Sequence, residues 1–263
     1  MKIGIWNTQS IRGKLEEVVK ELKKLNIDIA SLSETKKKGQ GIEQVGDYIH
    51  VYSGVPKEKR ACKGISLLIH SKYKKFITNW TPVNERILTA NLNLFGYKLT
   101  IIGTYGPNED EEVALKDQYM ELLNQTIIDI GSTREIVLIG DLNARVGRRL
   151  NHHTVGRHGE ETENENGRRL INLCEQHELK IMNGYFAHRD IHKFTWRQET
   201  RHLKSIIDYL IVKQKTNLKI NDVRACRGPE CGSDHYLVKG EIRMPYRREN
   251  INEATKTSST NTI

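Results

Sequence analysis

Short apolar runs that suit β-strands alternate with amphipathic helical patterns from the first residues of this chain, and that alternation constrains its fold more than any other feature. Ile3 to Trp6 reads as a strand. Residues 11 to 25 carry Leu15, Val18, Val19, Leu22 and Leu25 at helical spacing, and "IDIASLSE" then reads as a second strand. The pattern predicts a β-α-β start.

The middle changes character. "GISLLIH" (64–70), "RILTANLNL" (86–94) and "YKLTIIGTY" (97–105) read as strands, and Phe95-Gly96 between the last two predicts a hairpin. Antiparallel pairing there breaks a purely parallel sheet. A helix over 109–130, a strand over 135–140, a polar loop over 147–164 and a helix over 165–177 follow, then the strands "LKIMN", "KFTW", "IIDYLIV" and "YLVKGEIR". Mixed strand directions with interspersed helices predict an α/β fold of the α+β type, two packed mixed sheets covered by helices over residues 1–243. From Met244 the composition turns to Arg, Asn, Thr and Ser, so 244–263 reads as a disordered tail or a truncated linker.

Hydrophobic residues make up 37% of the 263 and charged residues 29%, which fits a soluble globular chain. No apolar run reaches the roughly 18 to 20 residues of a membrane span, and "MKIGIWN" turns polar too soon for a signal peptide. A nuclear or cytoplasmic, intracellular protein with no membrane partner is expected, and a monomer. Cys62, Cys174, Cys226 and Cys231 suit reduced thiols, since no second Cys or His pair at zinc-site spacing accompanies Cys226 and Cys231. Lys and Arg outnumber Asp and Glu by 42 to 33, a net charge of +9 that favours polyanions, nucleic acid first. A solvated surface explains the same charge equally well, and the scatter of the basic clusters along the chain neither helps nor harms the nucleic-acid reading.

Several apolar runs deliver an acid or amide at their C-terminal end. Asn7 follows "IGIW", Glu34 follows "IDIASLS", and Asp141 and Asn143 follow "IVLIG". Open α/β sheets gather ligands where strands end. Asn7 and Asn143 taken singly are turn-formers. Asp208 lies within "SIIDYLIV", where a charge needs a partner, and "CGSDHYLV" offers Asp234 and His235 just before the last apolar run. Acids and amides with one His suit metal-assisted phosphodiester hydrolysis. Hard Mg²⁺ takes carboxylate oxygens, a carboxylate orients or deprotonates water, and a His steadies the phosphoryl oxygens. No nucleophile elbow, P-loop or Gly-x-Gly-x-x-Gly competes.

"WN" at 6–7, "SET" at 33–35, "TYGPN" at 104–108, "GDLNA" at 140–144, "FTW" at 194–196, "IDYL" at 207–210 and "GSDH" at 232–235 occur in the order found in the endonuclease/exonuclease/phosphatase superfamily. The chain resembles that superfamily, which includes DNase I, exonuclease III and the apurinic endonucleases, over residues 1 to about 243. "GKLEEVVKELKKLNIDIASLSETK", "NENGRRLINLCEQHELKIMNG" and "CGSDHYLV" are similar to the endonuclease domains of RTE-type non-LTR retrotransposons and to craniofacial-development-protein-2-like chains.

The resemblance implies a DNase I-like four-layer sandwich with its active site at one edge. It implies Glu34 as the main Mg²⁺ ligand, Mn²⁺ substituting, with Asn7 near the metal and Asp234 supporting the metal side. Asp141 would orient or activate the attacking water, Asn143 would position it, and Tyr105 would contact the scissile phosphate. His235, oriented by Asp208, would stabilise developing charge, and Thr195 would hydrogen-bond a DNA phosphate. The implied activity is nicking of double-stranded DNA to leave a 3′ hydroxyl and a 5′ phosphate, the hydroxyl priming a reverse transcriptase domain of a longer polyprotein. Abasic-site repair and a catalytically silent DNA- or chromatin-binding module are the alternatives. Gln9 stands where relatives often carry Arg, Gly106 where Ala is common, and Ile206 where abasic-site enzymes tend to have Arg. The groove-reading loops are sought at 35–47 and 184–204.

Overall fold

A computed structural model describes residues 1–245, so the tail read from 244 lies, beyond that point, outside the described residues. In chain order the elements are β1 (Lys2–Asn7), α1 (Leu15–Lys24), β2 (Ile29–Ser33), β3 (Gln40–Val45), β4 (Tyr48–Ser53), β5 (Ile65–His70), β6 (Ile77–Pro82), β7 (Ile87–Leu94), β8 (Tyr97–Tyr105), α2 (Val113–Ile130), β9 (Glu135–Asp141), α3 (Glu165–Gln176), β10 (Leu179–Ile181), β11 (Trp196–Gln198), β12 (Leu203–Ser205), β13 (Asp208–Lys213), β14 (Lys219–Cys226) and β15 (Leu237–Arg243). No helix among the described residues is long and apolar enough to cross a membrane.

Seven strands form one sheet in the order β14-β15-β1-β2-β5-β4-β3, and six form a second in the order β10-β13-β9-β8-β7-β6. The β-α-β start pairs β1 with β2 in parallel, and β8 pairs with β9 in parallel. The expected hairpin joins β7 and β8 through Phe95 and Gly96, both at positive φ. The remaining pairs in both sheets run antiparallel, so each sheet is mixed.

Side chains that alternate along one strand enter different layers. Ile5, Leu67, Ile101 and Val137 meet between the sheets. Their neighbours Trp6 and Leu68 turn outward onto Val18 and Leu22 of α1. Ile102 and Leu138 turn the other way, onto Leu123 of α2 and Leu170 of α3. Helix, sheet, sheet and helices therefore make four layers, and strands buried on both faces read as continuous apolar runs.

α1 carries Glu16 and Glu17 in its first turn and Lys23 and Lys24 in its last, complementing the helix dipole. It ends where Asn26 takes φ 53°. α3 starts where the Asn164 side chain accepts from Gly167 N at 2.7 Å.

Several boundaries differ from the sequence reading. Both long helices start later than expected, at Leu15 and Val113. "KFTW" contributes only Trp196 to a strand, and the last strand starts at Leu237. Asp208 is the first residue of β13 rather than an interior one, though still fully buried. Residues 35–47, expected as a loop, contain the edge strand β3. Residues 184–204 hold 3-10 turns and most of the small β11–β12 hairpin.

Candidate active site

Because β1, β2, β8 and β9 end, and β13 and β15 begin, at the same edge of the sandwich, six polar residues from separate strands meet there. Register fixes the arrangement. Asp141, last in β9, is the direct partner of Tyr105 on β8 and of Asp208 on β13. Asn7, last in β1, is the partner of Ser33, after which Glu34 turns at φ 49°.

The Asn7 amide nitrogen donates to Glu34 Oε1 at 2.9 Å and to Asp141 Oδ2 at 2.8 Å. Its oxygen accepts from Gln9 N at 3.0 Å. Carboxylates only accept, so this network fixes the amide with its oxygen turned away from them. Asn7, expected near the metal, bridges the two acids as a donor and so offers them no ligand oxygen.

Asp141 is buried, accepting also from Asn143 N at 2.9 Å. Burial and then the Asp208 charge push its carboxyl up to about 7, against the pull of His235, Asn7 and Asn143. Asn143, at φ 49°, donates its amide to Gly106 O at 3.1 Å. Gly106 is required here, since a Cβ would lie 2.5 Å from Leu142 O.

His235 Nδ1 lies 3.0 Å from Asp208 Oδ2, and Nε2 lies 3.9 Å from Asp141 Oδ2 and 3.8 Å from Asp234 Oδ1. Burial alone would lower the imidazole's pKa. The charge and hydrogen bond of Asp208, joined by Asp141 and Asp234, outweigh it and raise the ring to about 9. The ring is therefore a cation at neutral pH.

Two expected residues take other posts. Thr195, expected at a DNA phosphate, is fully buried, and its hydroxyl accepts from Ile207 N at 3.1 Å and Asp208 N at 3.3 Å. It positions Asp208 and has no surface to offer a phosphate. Asp234, expected on the metal side, has one oxygen 2.9 Å from Gln9 Nε2 and the other 2.8 Å from Trp196 Nε1. Its carboxylate ties the β11–β12 hairpin to the turn after β1.

Tyr105 is nearly buried at the mouth, its phenol held far above the ordinary value by burial and by the Glu34 and Asp141 charges. Arg86, 6% exposed, lies 4.9 Å from that ring. It donates to Tyr105 O and Gly106 O at 3.2 and 2.9 Å and forks onto Glu111 at 2.8 and 3.0 Å. Arg86, Gln9, Ser33, Trp196 and Ser233 were not among the residues expected from sequence. Ser33, Trp196 and Ser233, whose hydroxyl donates to Asn7 O at 2.7 Å, lay inside the quoted motifs "SET", "FTW" and "GSDH", and Gln9 stood out only as a departure from relatives, while Arg86 carried no signal.

Asp141, Asp208 and His235 present ligand atoms within 4.8 Å of one another. With His235 protonated they form an acid–base cluster rather than a cage. The donor set around it nevertheless fits a hard cation. Glu34 and Asp141 share one Asn7 nitrogen, and Asp208 Oδ1 is buried without a partner. Crowded carboxylate oxygens suit Mg²⁺ or Mn²⁺, with Glu34, half-buried at the mouth, the accessible ligand.

The chain belongs to the Endonuclease/Exonuclease/phosphatase family, whose model matches residues 4–235. It is similar to craniofacial development protein 2 of Bos taurus, 30% identical over 265 residues that take in 96% of this chain and 44% of that protein. The chain thus spans less than half the length of that relative. Its fold matches the catalytic domain of APE2 from Xenopus laevis, with TM-score 0.69, 19% identity and coverage of 92% of this chain and 91% of that one. It also matches the endonuclease domain of TRAS1, a telomere-specific non-LTR retrotransposon, with TM-score 0.66, 16% identity and coverage of 92% and 98%.

Proposed function

We propose that this chain is a Mg²⁺-dependent DNA endonuclease that nicks one strand of a duplex, leaving a 3′ hydroxyl and a 5′ phosphate. The observation that carries this reading is the meeting of Asn7, Glu34, Asp141, Asn143, Asp208 and His235 at one sandwich edge, with an imidazolium and a buried carboxylate 3.9 Å apart. The net charge of +9 supports a polyanionic substrate.

In this reading Asp141, poised near neutrality, orients a water and takes its proton as the water oxygen bonds to phosphorus. The phosphorus–O3′ bond breaks in line, and the departing O3′ is protonated from solvent. His235, held by Asp208, faces the phosphoryl oxygens where negative charge builds. Asn143 fixes the water and phosphate, and Tyr105 contacts the scissile phosphate. Glu34 would hold the cation, whose charge neutralises the phosphate and favours attack.

A retrotransposon origin, in which the new 3′ hydroxyl primes a reverse transcriptase domain, is supported by the match to the TRAS1 endonuclease domain and by the RTE-like segments. The test is nicking of supercoiled plasmid with Mg²⁺, with EDTA, and by His235→Ala. Mg²⁺-dependent nicking lost in the variant is expected. Folded wild-type protein that binds plasmid but never nicks it would sink the reading in favour of a binding module.

A further inference from the structure

We propose that Arg197 and Arg227, braced on the ring of Tyr236, form a clamp for a backbone phosphate of the nucleic acid on the flank of the site beyond His235. The proposal rests on the nucleic-acid reading above and adds a site that the catalytic cluster does not contain.

Topology places the three residues at the catalytic edge. β14 ends at Cys226, one residue before Arg227, and pairs there with Leu237, one residue after Tyr236. Arg197 N donates to Asp234 O at 3.1 Å, Tyr236 N donates to Thr195 O at 2.7 Å, and Trp196 bridges His235. Arg197 and Tyr236 thus follow Trp196 and His235 directly along the two bridged segments, beside the catalytic imidazole.

The Arg197 guanidinium lies 5.0 Å from the Tyr236 ring centroid and that of Arg227 4.3 Å. The hydroxyl of Tyr236 is buried and makes no hydrogen bond. What the residue supplies is the ring, on which two like charges are held together. Cation–ring attraction fixes a guanidinium while leaving its N–H fork free for a planar or tetrahedral oxyanion.

The neutralisation is incomplete. Among the described residues Arg227 has no carboxylate partner, while Arg197 pairs with Glu199 at 2.5 Å where the side chains are 42% and 70% exposed. An exposed pair of that kind gives way readily to a better anion. Two cations with one loosely held counter-charge, at the edge where a duplex must lie to reach His235, fit a phosphodiester.

The experiment is fluorescence anisotropy of a short labelled duplex in EDTA across a salt series, which reads binding without cleavage. Arg197→Ala and Arg227→Ala should each weaken binding about fivefold or more and lower the slope of log K against log salt by about one. Lys215→Ala, the same charge change at the opposite edge, should leave both unchanged. Tyr236→Ala should weaken binding without lost charge, Tyr236→Phe should bind as wild type, and Glu199→Gln should bind more tightly.

If both arginine variants match Lys215→Ala while the wild type binds and cleaves, the clamp is refuted and the endonuclease reading stands. If Tyr236→Phe loses as much as Tyr236→Ala, bracing by the ring is refuted. A wild type that binds no duplex removes the nucleic-acid reading itself. Far-ultraviolet circular dichroism and thermal melts check that each variant is folded.

Discussion

His235 Nδ1 and Asp208 Oδ2 are 3.0 Å apart, and both side chains are almost wholly buried. That contact fixes which ring nitrogen faces Asp141 and keeps the imidazole charged.

Removing the Asp208 charge while keeping its shape should therefore discharge the ring. In Asp208→Asn the His235 pKa should fall from about 9 by at least about one unit in a metal-free NMR titration. Plasmid nicking should drop about a hundredfold or more. An unchanged His235 titration would show that Asp208 does not set the charge.

Glu34 is the proposed cation ligand, exposed at the mouth and linked through Asn7 to Asp141. Glu34→Gln should weaken Mn²⁺ binding, followed by electron paramagnetic resonance, by about tenfold or more. Asp234→Asn should leave it nearly unchanged, since Gln9 and Trp196 already occupy that carboxylate. The reverse ranking would move the cation to the hairpin side.

Asp141 is strained by its surroundings, which makes it a case where activity and stability oppose each other. Its folded pKa, about 7, lies above the roughly 3.9 of an unfolded Asp. Between those values the folded chain holds a proton that the unfolded chain has released, so stability falls as pH rises and the full penalty is present above 7. Asp141→Asn, melted without metal at pH 8, should be more stable than wild type by about 1 kcal/mol or more, and inactive. A less stable or still active variant would contradict the assignment.

Thr195→Val keeps the volume and leaves the amides of Ile207 and Asp208 unpaired in a buried place. A loss of about 1–3 kcal/mol in urea unfolding is expected, with DNA affinity unchanged. Weaker DNA binding with full stability would return Thr195 to a phosphate-binding role.

His50 gives a pH dependence remote from the site. It is fully buried on β4, 2.8 Å from Glu43 Oε1 and 2.9 Å from Ser66 Oγ, and burial lowers its pKa to about 4. The unfolded ring, near 6.5, takes up a proton that the folded ring refuses, so stability is lost as pH falls from 6.5 to 4. The loss should reach at most about 3 kcal/mol and flatten in His50→Gln. Melts at stepped pH that are equally steep in both proteins would exclude His50 as the cause.

The strand-end acids were legible because each closed an apolar run, and a charge against a hydrophobic strand needs a reason. Glu34 and Asp141 were found that way, Asp208 as a charge inside an apolar run and His235 as its partner just before another, and the structure brings all four to one edge. What escaped sequence reading was pairing between distant segments. β3, "QGIEQV", is a polar edge strand with half its side chains in water, so its alternation carries little apolar signal. β14 has the polar pair Asn221-Asp222 in its middle and was not read as a strand, yet it pairs along β15 across a register shift at that point. Asn7 was found as a type but its orientation was not, because that depends on Gln9 and on two carboxylates 27 and 134 residues away. Thr195 was misread for the same reason: burial is a property of the packed hairpin.

β1 sits inside its sheet with β2 on one side and β15 on the other. Of the described strands, β1 therefore keeps one edge unpaired until β15 arrives, and His235, just before β15, joins Asp141 only with that closure. A ribosome part-way along the message carries a chain that has Glu34 and Asp141 but not yet His235. Chains cut short by premature termination before 235 share that condition. The order of the strands thus withholds the complete cluster until synthesis has passed His235, and under the proposed function an unfinished copy would cleave nothing.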